Sequence, residues 1–473
     1  MSIKQTTTKS TVTVGKQRSY NDVVEFLDKN WGFERSGKTI ERMKKLDKAL
    51  GSPSNDLNTI AIAGTNGKSL TIHFIARLLK EEGLSVGTFV DPHILTYNEL
   101  LATNGETISN KEFTELALHV IDTAQNQKLD VSSREVLTMM ALLYFKNKGV
   151  DAALIEVTEG GQFDPTSICS HKVVGITRVT EDDIHASHKS IEDAITDITN
   201  IVSKGTWVVS GDQNKTNLQL MESVTKSRHA NWAMPIRKLA PIAYPFEQLH
   251  GRCAAIAERT ASMFIEHVIV AGGAHVVQDS LLARESGRRG RPTLEAKRQS
   301  ELNPKRTIEQ YWAEIATALP GRFQLLEKEK PTILLDNANN LDAFKNLLLG
   351  VRLMHYQRSL KGLTLIVGTH GNELDNLEFF KLIRYFFKKT SGQIFLCPVE
   401  TKTLSHQHAS MWNIEKVVNE LKNMKVKARA FKDFKEALDQ GQKSVDERHG
   451  LVVVTGSHAI VSEYWNHKEI KKL

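Results

Sequence analysis

Cysteine is scarce: this chain of 473 residues has three, Cys169, Cys253 and Cys397, set far apart. None forms a Cys-x-x-Cys pair, so neither a disulfide framework nor a zinc knuckle is supported. That usage fits a reducing cytoplasm. No run of eighteen apolar residues occurs, and no membrane-spanning helix is expected. Met1 to Thr13 is polar and rich in Thr and Lys. It lacks the apolar stretch of a secretory leader, and the expectation is a frayed tail. No segment repeats at a fixed period, which argues against a solenoid. The apolar fraction is ordinary for a globular protein, and the length allows two or three substantial cores.

What the chain has in excess is positive charge, a formal +7. Much of the local surplus lies in Arg284 to Arg298, including Arg288-Arg289-Gly290-Arg291. Such a run attracts polyanions, whether ATP, another anionic metabolite or nucleic acid, and it can equally be a solvated loop. No aromatic stacking platform lies beside it, so nucleic acid is not expected as a partner.

The most informative stretch is 58–80. Asn58-Thr59-Ile60-Ala61-Ile62-Ala63 reads as a short buried strand, and Gly64-Thr65-Asn66-Gly67-Lys68-Ser69 follows at once. A helical pattern comes next, with Ile72, Ile75, Leu78 and Leu79 on one face. Strand, glycine-rich turn with Lys-Ser, and helix form the context of a phosphate loop. Its spacing is tighter than the common eight-residue form. Gly64 and Gly67 let the backbone turn so that successive N–H groups point at phosphate oxygens. The helix N-terminus adds partial positive charge. Lys68 is placed to reach terminal phosphates, and Ser69 to offer a hydroxyl to Mg2+. The bland alternative is an ordinary strand-to-helix turn with a solvated lysine.

Further strands are expected over 85–90, 151–157, 172–177 and 207–209, with helices over 110–127, 133–147 and 190–202. Gly87 inside the second strand implies close backbone packing. This alternation predicts a mainly parallel sheet with helices on both faces. Ligands then sit beyond the C-terminal strand ends. Those ends carry the phosphate loop, Asp91-Pro92-His93, Glu156 and the cluster Glu181-Asp182-Asp183. Glu156 is a carboxylate in an otherwise apolar strand, a costly placement unless it is paired or metal-bound, and it is assigned as a metal ligand. His93 is either functional or a loop-holding side chain, and Asp164 either functional or a turn cap. His185 and His188 read as solvated helix-start residues, and Cys253 as a packed thiol.

A helix over 307–319 and a second α/β unit follow. The unit has strands over 332–335, 363–367, 394–397, 428–430 and 451–454. Helices are expected over 343–349, 376–388, 412–422, 433–440 and 459–463. The fold class is α/β: a parallel-sheet, P-loop-type domain over 1–305, then a smaller doubly wound domain over 306–473.

These segments, in this order, resemble the folylpolyglutamate synthase/dihydrofolate synthase branch of the Mur ligase superfamily over about residues 37–463. Ala63 to Ser69 is similar to that family's phosphate loop. Asp91-Pro92-His93-Ile94 with Asn98-Glu99 resembles its Ser-Pro-His-Leu stretch, and Glu156-Val157 with Gly160-Gly161, Phe163 and Asp164 resembles its Glu-Val-Gly-Leu-Gly-Gly segment. Pro320-Gly321-Arg322-Phe323-Gln324 is similar to the interdomain motif, Asp336 to Asn340 to the Asp-Gly-Ala-His-Asn segment, and Gly456-Ser457 to the last strand end.

The resemblance implies an ATPase domain and a ligase domain. It implies ATP and Mg2+ as cofactors, a small carboxylate and an amino acid (glutamate in this branch) as substrates, a monomer, and an acyl phosphate intermediate. A folate is one candidate carboxylate. It places Gly64, Thr65, Asn66, Gly67, Lys68, Ser69, Gln248, Arg322 and Asp336 at the nucleotide, and Ser69, Glu156 and Asp183 at the metal. Lys68, Glu156, Asp182, Asp183 and His93 fall in catalytic roles. Asp183 stands where the family has a histidine and Ile198 where it has a modified lysine. Asn339, Gln162 and Leu100 replace a histidine and two arginines. A nucleotide-binding homologue without ligase activity is the alternative.

Overall fold

A computed structural model describes residues 18–31, 36–158, 161–183, 188–233, 247–272, 319–357, 359–369, 374–399 and 412–473. The expected boundary at 305/306, the helix over 307–319 apart from Leu319, the basic run Arg284 to Arg298, His185 and Gly160 lie outside them.

Two sheets organise the chain. The first is built from β1 (Thr59–Ala63), β2 (Val86–Phe89), β3 (Leu101–Thr103), β4 (Glu106–Thr107), β5 (Ala152–Glu156), β6 (Val173–Ile176), β7 (Trp207–Ser210) and β8 (Asn231–Ala233). Its order is β4-β3-β2-β5-β1-β6-β7-β8. Pairing is parallel from β2 to β8, and β3 and β4 add an antiparallel edge. All residues of β1 and β5 are buried, as expected for central strands covered on both faces. The edge hairpin turns at Asn104-Gly105, both with positive φ. Asn-Gly is favoured where both turn residues take positive φ, whereas strands of two or three residues carry too little pattern to be read from sequence.

The second sheet contains β9 (Gln324–Leu326), β10 (Thr332–Leu335), β11 (Leu363–Val367), β12 (Gln393–Leu396), β13 (Ala428–Ala430) and β14 (Leu451–Thr455), in the order β13-β12-β11-β14-β10-β9. All pairs are parallel except β9–β10. The antiparallel β9 adds to the expected strand set.

The described helices of the first unit are α1 (Tyr20–Lys29), α2 (Gly37–Ala49), α3 (Lys68–Glu81), α4 (Asn110–Asn126), α5 (Ser133–Lys148), α6 (Ile191–Thr199), α7 (Lys215–Ser227) and α8 (Glu247–Phe264). α5 is buried along nearly its whole length, because α1, α2 and α4 cover the side that faces away from the sheet. Its Phe145 ring fills the space over Gly87, where a Cβ would fall 2.4 Å from the ring. On the other face α3 packs against α8. The second unit adds α9 (Leu341–Gln357), α10 (Leu377–Lys389), α11 (Ile414–Asn423), α12 (Phe434–Lys443) and α13 (His458–His467). α9 continues well beyond the expected 343–349.

The two units meet through a wedge. Ile94, in the loop after β2, is buried with Ile333, Leu335, Val454, Ile460, Val461 and Tyr464 of the second unit. Glu99 shapes that loop by accepting the N–H groups of Ile94, Leu95 and Thr96 at 2.8, 2.9 and 2.8 Å.

Candidate active site at the strand ends

The loop between β1 and α3 needs its glycines. Gly64 has φ +114°, and a Cβ there would lie 2.5 Å from both the Arg178 carbonyl oxygen and Thr177 Oγ1. Gly67 has φ +85°, and a Cβ would meet Cys253 Sγ at 3.0 Å. The end of β6 braces the loop: Thr65 N–H donates to the Arg178 carbonyl at 2.8 Å, and Thr180 N–H donates to Thr65 Oγ1 at 2.9 Å. Lys68 Nζ donates to the Gly64 carbonyl at 2.8 Å and to the Thr65 carbonyl at 3.4 Å. The ammonium therefore folds back over the loop. Cys253 is a packed thiol, pushed up to about 11 by burial.

Glu156, at the end of β5, is the centre of the site. Ser69 Oγ donates to its carboxylate at 2.8 Å, and Asp91 N–H donates at 3.3 Å. Lys68 Nζ lies 4.0 Å away. Arg134 secures the strand end by donating to the Glu156 carbonyl at 2.8 Å, with its guanidinium over the Phe89 ring. Burial raises the Glu156 pKa, while Lys68, Arg322 and the Ser69 hydrogen bond oppose that shift. A hydroxyl and a carboxylate are hard oxygen donors, and an added divalent cation would relieve the desolvated charge. This donor pair fits Mg2+. Among the described residues no three His, Cys, Asp or Glu side chains gather as a metal site.

The second unit closes over the loop. Arg322 Nη2 reaches the Asp91 carbonyl at 3.5 Å. Asp336, at the end of β10, accepts N–H groups from Phe323 at 2.8 Å and Ala338 at 2.9 Å. Burial pushes its carboxyl up to about 6 against those two bonds and Arg322. Asp336 therefore holds the Gly321-Arg322-Phe323 turn, where Gly321 has φ +63° and Phe323 +47°. Asn66 Nδ2 donates to Asn340 Oδ1 at 3.1 Å and to Asp342 Oδ2 at 2.8 Å, while Arg178 pairs with Asp342.

The remaining sequence candidates each have their own local partners. The His93 ring packs tilted against Tyr97 with centroids 4.3 Å apart and meets Trp31 edge-on at 6.5 Å. Burial lowers its pKa, against Asp91, Glu99 and Asp28. Asp164 is a buried cap, accepting from Thr166 N–H at 2.9 Å. Asp182 is exposed and accepts from Thr180 Oγ1 at 3.1 Å. The side chains of Asp183 and Gln248 lie outside the described residues. His188 corrects an expectation: its ring is buried and 3.2 Å from Asp197 Oδ2, because pairing with that carboxylate of α6 offsets the cost of leaving water. Ile198 packs in an apolar cluster with Ala61, Ala63, Val174 and Ile176. Sequence reasoning missed Arg134, Arg178, Asn340 and Asp342 as individual site residues. Arg178 stands just past a strand end, the one position that could have marked it.

No family model matches the chain. It is 28% identical over 329 residues to the dihydrofolate synthase/folylpolyglutamate synthase of Bacillus subtilis, covering 65% of this chain and 70% of that protein. It is also 28% identical over 240 residues to the folylpolyglutamate synthase of Lacticaseibacillus casei, covering 49% of this chain and 55% of the relative. Among solved structures, the Mycobacterium tuberculosis folylpolyglutamate synthase complexed with ADP superposes with a TM-score of 0.73 at 17% identity, covering 95% and 98% of the two chains. The bifunctional Yersinia pestis enzyme complexed with AMPPNP and Mn gives 0.70 at 20% identity, covering 96% and 98%. The chain thus has the two-domain α/β fold of these solved synthases, with a parallel-sheet unit followed by a second, smaller α/β unit. In sequence the chain is similar to synthases that carry the names folylpolyglutamate synthase and dihydrofolate synthase, and in fold to solved members of the same group.

Proposed function

We propose that the chain is an ATP-dependent ligase. It joins an amino acid, glutamate by analogy with its relatives, to a carboxylate such as a folate through an acyl phosphate. The observation that carries this reading is the Ser69–Glu156 pair, buried at the mouth of the glycine loop and faced by Arg322 from the second unit. The Gly64 to Lys68 backbone and the Lys68 ammonium bind phosphates. Ser69 and Glu156 hold Mg2+, with Asp183 as a third candidate ligand. The bound ion would supply positive charge against the phosphate oxygens. Arg322, aimed by Asp336, brings a second cation to the nucleotide. Gln248 is placed at the nucleotide by the family resemblance. His93, kept neutral by burial, and Asp182 are assigned to the substrate side. Closure of the two units excludes water from a hydrolysable intermediate.

The burial of Ile198 in an apolar cluster favours a second reading, a nucleotide-binding homologue without ligation. ADP release with Mg2+-ATP, measured across pterin and other carboxylates crossed with amino acids and with mass analysis of products, separates the two. An amide product that falls at least 100-fold in Lys68→Ala and in Glu156→Gln is expected. ATP binding with no product from any pair would select the second reading.

A further inference from the structure

The cleft contains a polar clamp that the ligase reading does not require. Asp342 lies in the first turn of α9, is 5% exposed, and follows Asn340, which caps that helix by accepting Ala343 N–H at 2.8 Å. Its two carboxylate oxygens each take a partner from the first unit, and Asn346 of its own helix adds a long bond to Oδ2 at 3.4 Å. Oδ1 takes the Arg178 guanidinium, and Oδ2 takes the Asn66 amide at 2.8 Å. Both partners are tied to the phosphate loop. Asn66 lies within it, and the Arg178 carbonyl receives Thr65 N–H at 2.8 Å. Asn66 and Asn340 also exchange amide hydrogen bonds, at 3.1 and 3.2 Å.

We propose that Asp342 is a positioning residue that couples closure of the two units to the shape of the phosphate loop. A buried carboxylate that loses one partner is left uncompensated. Opening the cleft strips Asp342 of Arg178 and Asn66 together, so closure and loop geometry change as one event. Charge is what makes the clamp specific: a neutral side chain of the same size keeps hydrogen-bonding capacity but loses the ion pair with Arg178. The clamp itself stands on geometry alone; its effect on turnover rests on the ligase reading.

The test measures shape first. The native cysteines are all buried, so spin labels attach selectively at Glu115→Cys and Glu447→Cys, exposed positions on the two units. Asp342→Asn and Arg178→Gln are each expected to broaden the interdomain distance distribution toward open forms, without loss of the folded secondary structure of either unit. The double variant Arg178→Gln/Asp342→Asn is expected to be no more open than either single. Arg178→Asp/Asp342→Arg is expected to recover at least half of the closed population. In turnover assays, Asp342→Asn should lower kcat about tenfold while KM for ATP changes less than threefold. An unchanged distance distribution in the singles, or additive effects in the double, would overturn the clamp whatever the enzyme's substrate proves to be. Normal clamp behaviour with no ligase product would leave the clamp standing and refute the ligase reading.

Discussion

At the scale of single residues, the site is made of polar groups placed where only specific partners make them tolerable. Asp336 is an instance. Its carboxyl titrates near 6 in the folded chain against 3.8 ordinarily, so between about 4 and about 6 the folded state holds the proton more tightly. Stability therefore falls as pH rises through that window and levels off above it. Asp336→Asn is expected to remove this contribution from the pH profile. It should also lower stability below pH 4 by about 1–2 kcal/mol, because one of two backbone N–H groups loses its acceptor. Urea unfolding of both proteins at pH 4, 5, 6 and 7 reads the effect: the parent's advantage should shrink as pH rises and reverse by pH 7, since the rise from 3.8 to about 6 is worth about 3 kcal/mol.

At the scale of elements, close packing decides which side chains the sheet admits. β2 and α5 touch where Gly87 lies under the Phe145 ring. Gly87→Ala would force a Cβ into a fully buried aromatic. The expected loss is about 1–3 kcal/mol, the usual range for an overpacked core. Phe145→Leu in the same chain should recover part of it, since the smaller side chain vacates the space. A urea midpoint that drops for Gly87→Ala and rises again in the double variant checks the contact. A drop unrelieved by Phe145→Leu would point instead to the strand backbone.

At the scale of the whole molecule, the cleft is held by an apolar wedge from the loop after β2 and by a polar clamp between first-unit loops and the first turn of α9. Ile94 carries the wedge into the core of the second unit. Ile94→Ala removes three buried carbons from a cluster that the partner unit cannot fully refill. The expected cost is about 2–4 kcal/mol, and it falls on association of the units rather than on either core. Calorimetry should then resolve two transitions where the parent shows one. A single transition merely shifted downward would show that the wedge stabilises a unit internally.

The division between sequence and tertiary structure follows from these scales. Central strands such as β1, β5, β11 and β14 are continuous apolar runs, and burial on both faces demands that pattern wherever they pair. Gly64 and Gly67 announce the tight loop before α3 because its backbone tolerates little else there. Glu156 stood out because a lone carboxylate in an apolar strand requires a purpose. Roles that depend on distant partners left no local trace. Arg178 and Asp342 are 164 residues apart, and nothing in either neighbourhood specifies an ion pair. Asp336 was read from its motif as a nucleotide contact, yet its oxygens shape a turn thirteen residues earlier. His188 was expected in water and is buried on Asp197. Periodicity and steric demand act locally, so the sequence alone determined the elements and the loop. Polar pairing across the cleft depends on how two separately formed units meet, and only the tertiary structure decided it.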